Sequence, residues 1–271
     1  MNAIVKKTFS IILSVTVLLS TIGFVACKRE IDVPITDDRP EIVIGSDIFA
    51  PYFFVDEDGE FSGVDVALAT EAFSRIGYKV RFVSINWSDK DSLLESGEVD
   101  CLWGGFSMEG RESRYDWSEP YLKDRQMVVV LNDSDIYKLS DLEGKSIAVQ
   151  ATSKSEELFS QRTDPRIPSI KKLYCMPDMD YICGALNTGY ADAAAGHEAE
   201  FNEYFKFSAT NYRVLEETLL EVELGVAFKK GANAELINRL NQSLSVMQSD
   251  GYVGKVVKEY GLDYEKVILS K

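Results

Sequence analysis

Histidine, cysteine and basic residues are scarce in this chain. Of 271 residues one is His and four are Cys, and 29 Lys and Arg stand against 44 Asp and Glu, a formal charge of −15. A lone imidazole, His197, and the lack of any C-x-x-C pair argue against a zinc site, and no metal is expected. The deficit of cations gives a surface that repels phosphate backbones and anionic headgroups, which disfavours nucleic acid as a partner. No G-x-S-x-G supplies a nucleophile for the only His, so a Ser-His-Asp enzyme is not expected. Gly104-Gly105 stands without the later Gly and Lys that cradle phosphates, which removes Walker-type and dinucleotide loops, and no cofactor is expected. No short self-similar period is present, which excludes solenoids. With 44 carboxylates, any one acid/base pair is uninformative. These absences leave a binding protein rather than an enzyme.

What is present fits a folded chain: 45% of residues are hydrophobic and 27% charged, and the length allows one large domain or two modest ones. The first 26 residues differ from the rest. Lys6 and Lys7 are their only charges, and residues 8–26 are apolar with scattered Ser and Thr, as in the n-region and h-region of an export signal. The run is also near spanning length, so a permanent membrane anchor is the alternative. Phe24-Val25-Ala26-Cys27 resembles the lipobox of bacterial lipoproteins, whose Cys becomes diacylated and the new N-terminus. That resemblance implies a lipoprotein signal peptide over 1–26, lipidation (a palmitate-type acyl chain) at Cys27 and a lipid-anchored tether over 27–40, whose KREIDVPITDDRP lacks apolar periodicity. Either reading puts the folded part outside the cytoplasmic membrane. Loss of 1–26 leaves 27 basic residues and a charge of −17. Cys101 sits in an apolar run and reads as a small buried hydrophobe. Cys175 and Cys183 could bridge in an oxidising exterior, which spacing alone does not decide.

From Glu41 strands and helices alternate, the pattern of an α/β protein with parallel sheets. Strands are predicted at 42–44, 80–83 and 99–103, with turn residues at 56–59. Val64, Leu68, Ala72, Phe73 and Ile76 recur at helical spacing before the stop at Gly77, and a short helix runs into Leu93-Leu94. After Pro120-Tyr121 a second set follows: strands 127–131, 146–149, 170–174 and 192–195, with helices after Thr152 and Asp178. A strand at 224–228, a helix with Leu236, Leu240, Leu244 and Met247 on one face, and a helical stretch over 252–261 close the chain. Two sets predict two lobes, crossed near 122–131 and 218–228.

Residues 99–121, VDCLWGGFSMEGRESRYDWSEPY, resemble the signature of family 3 extracellular solute-binding proteins, the receptors of polar amino-acid ABC importers. That signature is a Val-Asp-Ala run, a Gly-rich segment, Thr or Ser, an Arg, and an Asp-Phe-Ser-Asp-Pro-Tyr block, here Asp116-Trp117-Ser118-Glu119-Pro120-Tyr121. The likeness extends to Gly45 through Pro51, to the Gly-x-Asp-Val pattern at Gly63, to Trp87, to Asp141-Leu142-Glu143-Gly144-Lys145 and to Gly251, covering nearly all of 41–261. It implies a two-lobed periplasmic-binding-protein type II fold with two hinge-strand crossovers, in which the segment after 228 returns to lobe 1, so that 41–126 with 222–271 form lobe 1 and 127–221 lobe 2, and the lobes close around ligand.

The resemblance also implies a site. Arg111 matches the Arg that binds the ligand carboxylate, where a guanidinium fork makes two parallel charge-assisted bonds. Ser107 matches the hydroxyl holding the same carboxylate. Its Ser-x3-Arg spacing is one residue short of the common x4, which predicts a reshaped loop. Gly105 lies in the Gly-rich segment of the site. Phe49 and Trp87 match the aromatics that sandwich the ligand. Thr152 and Ser153 open a helix whose N–H groups face the carboxylate. The departure is at the acid that pairs with a ligand ammonium: in Asp192-Ala193-Ala194-Ala195-Gly196-His197-Glu198 that position is His197, leaving His197 or Glu198 for the role. If His197 faces a cation, affinity should weaken as pH falls through about 6.5.

The expected protein is an extracytoplasmic, lipid-anchored monomer that takes an amino acid or related small carboxylate between two lobes and delivers it to ABC permease subunits. The alternatives are a cyclohexadienyl-dehydratase-like enzyme on the same fold, with His197 or Glu198 as the acid, and a ligand-sensing module.

Overall fold

A computed structural model of the chain describes residues 37–269 apart from Thr163 and Asn233. The export signal, the lipobox with Cys27 and most of the tether lie outside the described residues.

The first half of the chain builds a sheet from β1 (Glu41–Ser46), β4 (Lys79–Ser84), β5 (Cys101–Leu102) and β6 (Asp116–Trp117), completed by β13 (Ala227–Phe228) in the order β4-β1-β5-β13-β6. A small hairpin, β2 (Phe54–Val55) and β3 (Phe61–Ser62), follows β1, and its connection carries the expected Asp56 to Gly59 turn. Strand β1 is parallel to both neighbours and nearly continuous in burial, as expected of a strand covered on two faces. Helix α1 (Val64–Arg75) buries Val64, Leu68, Ala72 and Phe73 at helical spacing, and Gly77 follows with φ 86°. Helix α2 (Lys90–Ser96) links β4 to β5.

The second sheet contains β7 (Leu122–Leu131), β8 (Ser146–Gln150), β9 (Lys172–Met176), β10 (Ala193–His197) and β11 (Tyr212–Val214), in the order β11-β7-β10-β8-β9, with β12 (Leu220–Leu224) also on β7. Its helices are α3 (Lys154–Gln161), α4 (Met179–Asn187) and α5 (Glu198–Phe207). Ser153 and Asp178 cap α3 and α4 through their side chains, which is why those helices start where the sequence placed them. The closing helices are α6 (Ala234–Ser249), α7 (Tyr252–Glu259) and α8 (Tyr264–Val267). Leu240, Leu244, Met247, Val253 and Val257 share one core with Phe73 and Ile44, so the end of the chain packs on the first sheet. Each such side chain contributes roughly 1.5–3 kcal/mol of apolar burial.

Two expected strands are corrected. The apolar run 224–228 is not one strand: β12 ends at Leu224 in the second sheet and β13 begins at Ala227 in the first. Gly225 makes the crossing, where a Cβ would lie 2.6 Å from Met108 Sδ and 3.0 Å from Trp117. The predicted strand 99–103 pairs only at Cys101 and Leu102, because the backbone then turns into Gly104-Gly105. Helix α5 and strand β11 escaped the sequence reading; Glu198, Glu200 and Glu203 blur the apolar period of α5, and β11 has three residues. All three described cysteines are free: Cys175 is exposed, Cys183 and Cys101 are buried, and no 175–183 bridge exists.

Candidate functional site

Ligand-bearing loops of parallel sheets lie at the carboxyl ends of strands, and four such ends converge here. Asp47 follows β1, Gly104 and Gly105 follow β5, Gln150 ends β8, and His197 ends β10. Together with Phe49, Trp87, Phe106, Ser107, Arg111 and the opening of α3 they line one cavity of about 30 Å³. Ser107 is held there because its loop lies along the crossing strand: it bridges Leu224, Met108 N–H donates to the Glu223 carbonyl and Gly225 N–H to that of Phe106.

Arg111 is 3% exposed. Its guanidinium donates to the Ser107 carbonyl at 3.1 Å, lies 5.1 Å over the Phe106 ring and approaches Glu157 of α3 at 3.6 Å. Burial lowers its pKa. Ser153 and Lys154 face it; the Lys154 ammonium donates to the Glu109 carbonyl at 2.9 Å and to Glu157 at 2.8 Å. A buried guanidinium, an ammonium and the Ser107 hydroxyl line one small space, an arrangement whose chemistry suits a carboxylate and which is called the clamp below.

Gly105 contributes backbone rather than side chain. Its φ is 57°, its N–H donates to Asp65 at 2.7 Å, and a Cβ would meet the Phe49 ring at 2.4 Å. Phe49 packs edge-on against His197 with ring centroids 5.2 Å apart. Trp87 lines the cavity and is also a core residue, packed with Leu94, Val99 and Phe106. Thr152 lies outside this cavity. It lines a polar neighbouring one, and its hydroxyl accepts from Lys90 at 2.8 Å. Lys90 is buried over the Trp87 ring, and that burial lowers its ammonium to about 8.

The question left at His197 and Glu198 divides cleanly. Glu198 is paired with Arg125 and Lys266 and does not line the cavity. His197 does, with Nδ1 3.0 Å from Asp124 and Nε2 3.3 Å from the Ser107 hydroxyl. Asp124 also accepts from Tyr52 and from Arg125 N–H, so the carboxylate accepts from Nδ1–H and leaves Nε2 an acceptor toward the cavity. The chain has no G-x-S-x-G, yet Ser107, His197 and Asp124 come into one hydrogen-bonded chain, assembled from three distant segments.

Sequence reasoning missed Asp47, Gln150, Lys154 and Asp124. The available signal was position, since Asp47 and Gln150 stand at parallel strand ends. Gln150 donates to Asp47, and burial pushes the Asp47 carboxyl up to about 6 despite that bond. Asp47 is the carboxylate among the cavity's lining residues.

Residues 42–263 match the family described as bacterial extracellular solute-binding proteins, family 3. The chain belongs to that family, and its fold is the mixed α/β fold of type II periplasmic binding proteins. The L-cystine-binding protein TcyA of Bacillus subtilis (strain 168) is 27% identical over 222 residues, spanning 80% of each chain. Among solved structures, an ancestral arginine-binding protein bound to arginine is similar at TM-score 0.74 and 29% identity, covering 82% of this chain and 99% of that one. The ancestral amino acid-binding protein AncCDT-1, a precursor of cyclohexadienyl dehydratase, is similar at TM-score 0.72 and 26% identity, over 81% of this chain and 95% of that one. No helix among the described residues is long and apolar enough to cross a membrane.

Proposed function

We propose that this protein is the receptor of an ABC importer, tethered outside the cytoplasmic membrane by lipid on Cys27, and that it binds an amino acid or related small carboxylate as a monomer. The carrying observation is the clamp of Arg111, Ser107 and Lys154 in one buried cavity. Arg111 and Ser107 hold the carboxylate, Phe49 and Trp87 flank the solute, and His197 Nε2 with Asp47 receives an ammonium. A space of about 30 Å³ holds one water rather than a solute. Entry therefore needs the lobes, 41–126 with 222–271 and 127–221, to part about the crossings at 118–122 and 224–226. Calorimetric titration of residues 28–271 with amino acids and small organic acids is expected to find a ligand, and silence across both sets would sink the reading.

The charge on Asp47 gives this reading a pH dependence. Its carboxyl titrates at about 6, so the ionised form that attracts an ammonium is depleted as pH falls below that value. Affinity for an ammonium-bearing ligand is expected to fall between pH 7 and pH 5, approaching about tenfold per unit at the acid end. Asp47→Asn should weaken binding at pH 7.5 and flatten the profile. An unaltered profile in the variant would remove Asp47 from the ammonium site.

A second reading, a dehydratase-like enzyme, is favoured by the Asp124, His197 and Ser107 chain, which orients an imidazole for proton transfer in the cleft. Prephenate and arogenate are the substrates to assay. Binding without turnover is expected; turnover that His197→Gln abolishes would replace the receptor reading.

A further inference from the structure

Lys90 opens α2, between two strands of the first sheet, and its ammonium reaches Thr152, which follows β8 of the second. The Thr152 hydroxyl accepts from it at 2.8 Å, the Trp87 carbonyl lies at 3.4 Å and that of Thr152 at 3.5 Å. The ring of Trp87, a residue that lines the clamp, has its centroid 5.1 Å away. Lys90 is 2% exposed. All three of these oxygens are uncharged, where a buried ammonium ordinarily faces a carboxylate.

Each nearby carboxylate is engaged elsewhere. Asp91, next on α2, accepts from Arg114 and from the Tyr115 hydroxyl. Asp47, after β1, accepts from Gln150. On α3, which shares a cavity with Lys90, Glu156 accepts from Thr152 N–H and Glu157 from Lys154. Arg111 and Arg114, in the loop after β5, add charge of the same sign as the ammonium, and the first turn of α2 is the positive end of a helix. Burial is the largest influence and lowers the ammonium from 10.5 to about 8, against the opposing pull of Asp91 and Asp47.

Resting on the reading that the lobes part, we propose that Lys90 is a brake on closure: shutting the cleft strips water from its ammonium without supplying an anion, so the charged side chain favours the open form and helps release the solute. The same burial without a counter-ion makes a charge cost more than an apolar group of its shape. Linkage gives the pH dependence its sign. The closed form holds the Lys90 proton less tightly than a solvated lysine does, so closure expels that proton. The brake is fully on below pH 8 and is released as pH rises from 8 toward 10.5.

The test needs no solute. Spin labels on the exposed Cys175 and on Glu57→Cys in the hairpin of β2 and β3, in residues 28–271, report the distance between the two halves by double electron–electron resonance. Between pH 7.5 and pH 9.5, where Asp47 stays ionised, the ratio of closed to open protein is expected to rise at least about tenfold. Lys90→Met should be as closed at pH 7.5 as the wild type is at pH 9.5, and indifferent to pH. Lys90→Arg, whose charge does not titrate in this range, should stay as open throughout as the wild type is at pH 7.5. A Lys90→Met protein more open than the wild type would make the ammonium a strut and overturn the brake. Two populations whose proportions ignore pH and both substitutions would overturn the brake and keep the moving lobes. One unchanging distance in every sample would overturn both, and the clamp is tested apart from either by Arg111→Ala.

Discussion

Replacing Arg111 by alanine is expected to lower affinity for any carboxylate ligand at least about a hundredfold, the worth of a pair of charge-assisted hydrogen bonds made away from water. The guanidinium is nearly inaccessible, its Nε and terminal nitrogens are directed by Glu157 and the Ser107 carbonyl, and the Phe106 ring supports its plane. A lysine at 111 keeps the charge and loses the fork, so Arg111→Lys should recover only part of the loss. Folding is a separate matter. The Lys154 ammonium stays paired with Glu157 when Arg111 is cut back, so that carboxylate is not left alone. Calorimetry measures the affinity, and thermal unfolding of the same samples shows whether the fold is intact. Full affinity in a folded Arg111→Ala protein would end the assignment of the clamp.

The second large effect is on stability, at Asp65. This carboxylate is 1% exposed in the first turn of α1 and accepts from Gly105 N–H at 2.7 Å and from the Tyr121 hydroxyl at 2.9 Å. It ties the loop of the clamp to the helix beneath it. Asp65→Ala strands two buried donors, at roughly 1–3 kcal/mol each, and a loss of about 3 kcal/mol in urea unfolding is expected. Asp65→Asn keeps an acceptor oxygen and should cost less. Burial pushes the Asp65 carboxyl up to about 7 from an ordinary value of 3.8. The folded protein therefore holds this proton more tightly than the unfolded chain does. The resulting stabilisation is fully present below 3.8 and is lost as pH rises through 7. Between pH 5 and pH 7 the wild type should lose about 2 kcal/mol relative to Asp65→Asn, which does not titrate there. Asp47 titrates in the same window in both proteins and cancels. Parallel stability curves for the two would show that Asp65 is not the group responsible.

Much of the site was legible in sequence because its carriers are local. Arg111 and Ser107 share one short loop, Ser153 announces a helix by its capping chemistry, and Phe49 and Trp87 sit beside strand ends. Misreadings came where local pattern carries no information about direction. Glu198 was as good a candidate as His197, but at the start of α5 it turns to Arg125 and Lys266. Thr152 and Ser153 are adjacent and share the polar neighbouring cavity, yet only Ser153 also lines the clamp.

By itself the sequence determined the alternation of most strands and helices, the caps that start α3 and α4 and the glycine that stops α1, because each depends on neighbours within a few positions. The tertiary structure decided what meets across the cleft. Asp124 lies 73 residues from His197 and Ser107 lies 90, and the crossing at Gly225 splits a continuous apolar run between two sheets. No local periodicity encodes those meetings. They follow from where the carboxyl ends of strands converge once two hydrophobic cores have packed, and that convergence puts the chain's single imidazole between a buried carboxylate and a serine.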